Sequence, residues 1–136
     1  MVMAIITALT GIALPRYENA LMRYRVERAA RRIIADLAAA RVEARTTSTS
    51  HVVQFNANFD AYQILEGETI KDGFDMVFLS TAPYYVNVVG VDFSGSESVT
   101  FNGYGVPDAG GTITLQAGDT QKIITLDADT AKATEQ

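Results

Sequence analysis

Apolar residues recur at intervals of three to five along residues 16–45. Leu21, Val26, Ala30, Ile33, Leu37, Ala40 and Ala44 fall on one stripe of a 3.6-residue helix, which predicts an amphipathic helix with one buried face. Arg23, Arg28, Arg31, Arg32 and Arg41 lie mostly off that stripe, and Glu27 stands four residues before Arg31, a favourable helical pair. Alanine and arginine are strong helix formers, so propensity agrees with pattern. Ahead of this stretch, Met1 to Leu14 is fourteen residues without a charge. No break in periodicity separates the two parts, and a single helix is predicted over about residues 1–45. At about 1.5 Å per residue it reaches roughly 68 Å, longer than a globule of this chain length is wide. Part of it must project from its own body.

Thr46-Thr47-Ser48-Thr49-Ser50 ends the helical periodicity, and the pattern turns to strands. His51 to Phe55 and Ala61 to Leu65 are short β-prone runs joined by a hairpin over Asn56 to Asp60. After a turn-rich stretch from Glu66 to Gly73, strands are predicted over Phe74 to Leu79, Tyr84 to Phe93, Val99 to Phe101, Thr112 to Gln116 and Lys122 to Leu126. In Tyr84 to Phe93 both alternating sets are largely apolar, so both faces are expected to be partly covered. A long helix followed only by about seven closely spaced strands predicts an α+β fold, with antiparallel sheet packed on the one helix.

Composition bounds the function classes. The 136 residues are 48% hydrophobic and 20% charged, a globular balance that suits one domain. There are no cysteines, hence no disulfide framework and no thiolate metal site. The net charge of −5 hides a split: residues 1–45 carry eight arginines against four acids, net +4, and the remainder carries three lysines against twelve acids, net −9. A basic stalk bears an acidic head. The fourteen-residue apolar run is shorter than the eighteen or so residues of a membrane span, and this length also suits a buried helix or a signal core. Against a signal core, Ala13-Leu14-Pro15-Arg16 leads straight into the amphipathic helix. Against a buried helix, the rest of the chain is too small to surround it.

Catalytic chemistry finds little support. The one histidine, His51, has Ser48, Ser50 and Asp60 near it in sequence but in no nucleophile–base spacing, and it is read as a surface structural residue. Gly103 and Gly105 lack the third glycine and the following helix of a phosphate loop. Asp127 and Asp129 with Thr130 lack the glycine and terminal glutamate of a calcium loop and read as a solvated turn. The glycine-rich stretch Asn102 to Gly111 is either a flexible partner-binding loop or a plain long hairpin. No catalytic, cofactor or metal residue is expected.

Three segments carry a family resemblance. Ala4-Ile5-Ile6-Thr7-Ala8-Leu9-Thr10-Gly11-Ile12-Ala13-Leu14-Pro15-Arg16-Tyr17 resembles the N-terminal helix of type IV pilins and type II secretion pseudopilins. Asp36-Leu37, Ala40-Arg41 and Glu43-Ala44 resemble the helix end of the H-type (GspH/FimT-like) minor pseudopilins and pilins. Phe101, Gly105 and Gly111-Thr112-Ile113-Thr114-Leu115 resemble that subfamily's closing strands. The family's leader, glycine cut site and early glutamate would fall before Met1, so this start is expected to be a trimmed one or an internal methionine.

The resemblance implies a pilin-like fold and a non-enzymatic subunit without cofactors, in three parts: a membrane or filament-core helix at 1–15, an amphipathic helix at 16–45 and a β head at 46–136. Ala4, Ile5, Ile6, Leu9, Gly11, Ile12, Leu14 and Pro15 would form the helix core of a filament, and Arg16, Arg23, Arg28 and Arg31 would meet adjoining subunits. Implied partners are other pilin or pseudopilin subunits, an inner-membrane assembly platform and, before assembly, membrane lipid. The implied place is the bacterial inner membrane, crossed once, with the head in the periplasm. Some relatives are DNA-binding pilins of uptake systems, which is the alternative function. They resemble one another in a basic C-terminal stretch; here Asp127 to Glu135 holds three acids and one lysine, so nucleic acid is not expected as a partner.

Overall fold

The computed structural model describes residues 2–67, 69–70, 76–81 and 84–135, with side chains from Glu18 onward except at 69 and 70. Helix α1 spans Val2–Thr47, 46 residues, and passes through Gly11 and Pro15 without interruption. Its length is roughly 69 Å at about 1.5 Å per residue. The helix outlasts the predicted end because the Thr46 and Thr47 hydroxyls donate to the carbonyls of Val42 and Glu43, each at 2.8 Å. It stops where Ser48 turns left-handed, φ 53°, and the Thr49 N–H reaches back to the Ala44 carbonyl at 3.2 Å. This six-to-one bond is that of a Schellman motif.

Nine strands follow among the described residues: β1 His51–Asn56, β2 Ala61–Glu66, β3 Thr69–Ile70, β4 Val77–Phe78, β5 Asn87–Asp92, β6 Ser98–Phe101, β7 Gly111–Ala117, β8 Thr120–Leu126 and β9 Ala133–Glu135. One sheet has the order β3-β2-β1-β6 with β4 also on β2, and the other the order β5-β7-β8-β9. Every pairing is antiparallel. The fold is therefore the expected α+β arrangement, with the sheet divided in two. The strands beyond the seven expected are β3 and β9, of two and three residues.

Three sequence expectations change. The strand expected from Tyr84 begins only at Asn87, because Tyr84 and Tyr85 both donate their N–H to the Thr81 carbonyl and Tyr85 is left-handed at φ 53°. Its two faces differ: Tyr84, Val86 and Val88 are buried while Tyr85 and Val89 are exposed. Of the strand expected over Phe74 to Leu79, only Val77–Phe78 is a strand, and 71–75 lie outside the described residues.

The core lies where α1 meets both sheets. Val26, Ala30, Ile33, Leu37, Ala40 and Ala44 are all buried, joined by Ala29; Leu21, at the lower end of the stripe, is half-buried. Four alanines on this face let the helix axis approach the strands closely. The helix touches β1 and β6 of the first sheet and β7, β8 and β9 of the second. Phe55, Tyr62, Phe101, Ile113, Leu115 and Ile124 complete the core from the strands. The sheets are also tied directly, since the Asp60 carboxylate accepts the Val88 N–H at 2.7 Å.

Candidate subunit-association surface

The strands cover only part of the helix. Glu18, Asn19 and Ala20 are exposed, and among the described side chains of α1 Met22 is the first packed against the core. From Met22 to Ala44, the part of the helix whose described side chains pack on the head, is about 33 Å. Ala4, Ile5, Ile6, Leu9, Gly11, Ile12, Leu14, Pro15 and Arg16 belong to the helix backbone, and their side chains lie outside the described residues. Among the described residues no helix is long and apolar enough to cross a membrane.

Opposite the core, a second stripe runs along the outside of α1. Tyr24, Arg28, Arg31, Ala35, Ala39 and Val42 are spaced by three or four and are all exposed, so they share one face. Tyr24 is 57% and Val42 59% exposed, large apolar groups at either end of a strip that holds Arg28 and Arg31 and then Ala35 and Ala39. Of the arginines singled out in the sequence, Arg23, Arg28 and Arg31 are exposed on or beside this strip. Arg31 lies 4.0 Å from Glu27, while Arg23 and Arg28 pair with no other described residue. The surface offers apolar contact bordered by positive charge.

Polar ties along both flanks fix the helix rotation. On the first-sheet side, Asp36 receives the Arg32 Nε–H at 3.0 Å and the Tyr62 hydroxyl at 2.5 Å on the same oxygen. Tyr62 is buried beneath the helix, and burial followed by its bond to Asp36 pushes the phenol well above its ordinary range. The Arg32 guanidinium is likewise raised, first by its bond to Asp36. Nearer the lower end, the Arg25 guanidinium stands 5.1 Å over the exposed Tyr85 ring. On the other flank, the Lys122 ammonium of β8 sits 3.7 Å from Glu27 and 3.8 Å from Glu135, linking helix, central strand and chain end. None of Asp36, Tyr62 and Lys122 stood out as a site residue in the sequence. The available signal was a polar residue at the margin of the helix stripe, as Asp36 is beside Leu37.

His51 is fully buried, which corrects its reading as a surface residue. It shares strand parity with Val53 and Phe55, whose side chains point into the core. Its Nδ1 lies 3.0 Å from the Thr49 carbonyl, while its buried Nε2, 3.8 Å from the Glu43 carboxylate, makes no hydrogen bond among the described residues. No hydroxyl–imidazole–carboxylate chain forms around it among the described residues. Asp127 accepts the N–H groups of Asp129 and Thr130 at 2.8 and 3.4 Å, a self-capped turn. After it the chain end returns as β9 instead of remaining a free acidic tail. The stretch from Asn102 is closed on itself: the Asn102 side chain accepts from Tyr104 and Val106, and Asp108 exchanges bonds with Thr100.

A family model described as type II transport protein GspH matches residues 29–130. No curated protein and no solved structure matches the chain.

Proposed function

The chain belongs to the GspH family of type II transport proteins, and on that premise we propose that it is a structural, non-enzymatic pseudopilin that assembles through α1. The observation that carries this reading is the mismatch between helix and head. The helix has 46 residues, its packing on the described core begins at Met22, and its outward strip bears Tyr24 and Val42 exposed. Such a helix gains by lying against other helices. In this reading the subunit has three parts: an apolar portion at 1–15, an amphipathic portion at 16–45 and a head at 46–136. Ala4, Ile5, Ile6, Leu9, Gly11, Ile12, Leu14 and Pro15 exchange inner-membrane lipid for neighbouring helices on assembly. Gly11 and Pro15 weaken the local hydrogen-bond ladder, so the helix can stretch there as subunits are drawn together. Arg16, Arg23, Arg28 and Arg31 face the acidic heads of adjoining subunits, the head residues of this chain being net −9 by the same count of three lysines against twelve acids. The head stands in the periplasm, and the inner-membrane assembly platform receives the subunit. Uptake of DNA is less well supported, since Asp127 and Asp129 are exposed on the terminal turn.

The absence of cysteine makes the test direct. Single cysteines placed at Ala35, on the outward strip, and at Thr112, on the head, are expressed in the native membrane with the sister pilin-like proteins bearing helix cysteines. The reading expects oxidative cross-links from Ala35→Cys to those proteins and few from Thr112→Cys. A chain that stays monomeric and cross-links from neither position, or from Thr112→Cys alone, would refute it.

A further inference from the structure

Beside the outward strip, α1 and the returning chain end enclose a cleft of about 260 Å³. Its floor is apolar, from Ile34, Ala38 and Ala133, and its rim carries Arg41, Arg45 and Lys132. At roughly 30 Å³ per water this is room for about eight waters, or for one large apolar side chain. We propose that this cleft is a docking slot for an acidic segment of another polypeptide, one that inserts an apolar side chain between flanking carboxylates.

Charge complementarity selects the occupant. Three cations surround one apolar floor, and neither Arg45 nor Lys132 forms an ion pair with another described residue. The arginines are held in place by the loop after β6. The Arg41 Nε donates to the Gly105 carbonyl at 3.3 Å. Gly105 sits at φ 78°, and a Cβ there would lie 2.5 Å from Cγ and Cδ of Arg45, so the bare glycine backbone is the shoulder against which the Arg45 stem rests. Cations fixed before binding lose little side-chain freedom when a carboxylate arrives, and arginine beside an apolar pocket is a common binding hot spot. Asp127, on the neighbouring turn, turns its Oδ1 to its own backbone N–H groups, and among the described residues no carboxylate forms an ion pair with Arg41, Arg45 or Lys132.

On the proposed membrane placement of residues 1–15, the position argues against a lipid headgroup. Ile34 is 20 residues along the same helix from Leu14, about 30 Å beyond the end of the apolar run. A second copy of this chain is the competing occupant that the test separates: its Asp60, Asp92 and Asp108 are bound to backbone N–H groups of their own fold, while Glu97, Asp119 and Asp129 are exposed.

The test uses the full chain, isotopically labelled in detergent micelles, with a synthetic peptide of sequence Glu-Asp-Leu-Glu-Asp blocked at both ends as probe, and its lysine-flanked counterpart as control. The expected result is amide shifts at Ile34, Ala38, Val42 and Ala131 to Thr134 with the acidic peptide only. Combined Arg45→Glu and Lys132→Glu should weaken binding by about tenfold or more. Ala38→Trp, which fills the cleft from an exposed position, should abolish it. Unchanged melting of each variant keeps folding separate from binding. Shifts that map elsewhere, equal binding of the lysine peptide, or affinity within about twofold after charge reversal would overturn the proposal. So would self-association in sedimentation that Lys132→Glu abolishes, because the slot would then belong to a second copy.

Discussion

Replacing Tyr62 by phenylalanine keeps the buried ring and removes only the hydroxyl that meets Asp36, so it isolates one polar tie between helix and sheet. At neutral pH the lost bond goes to a carboxylate, a class that contributes about 1.5–3 kcal/mol. Asp36 keeps Arg32 at 3.0 Å and remains 16% exposed, which places the cost near the lower end, about 1.5 kcal/mol. The pH dependence is more diagnostic. The folded phenol is raised above its unfolded value of 10.0 by burial and by Asp36, so its contribution is fully present below about pH 10 and is lost as pH rises above it. Above that point the unfolded chain releases a proton that the folded chain retains, and the native protein loses about 1.4 kcal/mol per pH unit from this group. Tyr62→Phe has no such proton to lose. The other tyrosines and the lysines titrate alike in both proteins and cancel in the difference. The stability gap should thus be about 1.5 kcal/mol at pH 7 and close to zero near pH 11. Urea unfolding followed by circular dichroism at pH 7, 10 and 11 measures it. A gap that is unchanged at pH 11, or wider, would refute the burial-and-carboxylate account of Tyr62.

Other substitutions probe other joints. Ile33→Ala removes a fully buried side chain beneath both sheets and should cost about 3–4 kcal/mol, read as a lower urea midpoint with unchanged slope. Gly111→Ala places a Cβ 2.1 Å from the Asp92 carbonyl, where β7 starts against β5; a loss of about 3 kcal/mol or more is expected, with melting lowered by about 10 °C. Ser48→Gly relieves a left-handed serine at the helix stop and should raise stability by about 0.5 kcal/mol, visible as a small increase in melting temperature.

The helix was legible in the sequence because one physical signal, a 3.6-residue repeat over many turns, spans Val26 to Ala44. The longer strands were legible for the same reason at period two. What escaped was set by partners far along the chain. β3 and β9 are two and three residues long, too short for any alternation, and exist because β2 and β8 offer them an edge. Tyr85 ended a strand early through a turn bonded to Thr81, in a segment whose composition reads as strand throughout. The hydroxyl residues before His51 suggest surface, but the parity it shares with Val53 and Phe55 buries it. In the association surface, the exposed arginines followed from the helix repeat. The cleft did not, because it needs β9 to turn back against α1, and nothing local in Asp127 to Glu135 announces that turn.

Only residues 48–50 separate α1 from β1, and the neighbouring bonds draw that junction tight: the threonine back-bonds, the reach of Thr49 to Ala44 and the contact of His51 Nδ1 with the Thr49 carbonyl. A hinge needs slack, and here there is none. Any pull or twist applied to the far end of the rod therefore arrives at the sheets as motion of one solid piece, so the head is steered by its shaft like the blade of an oar.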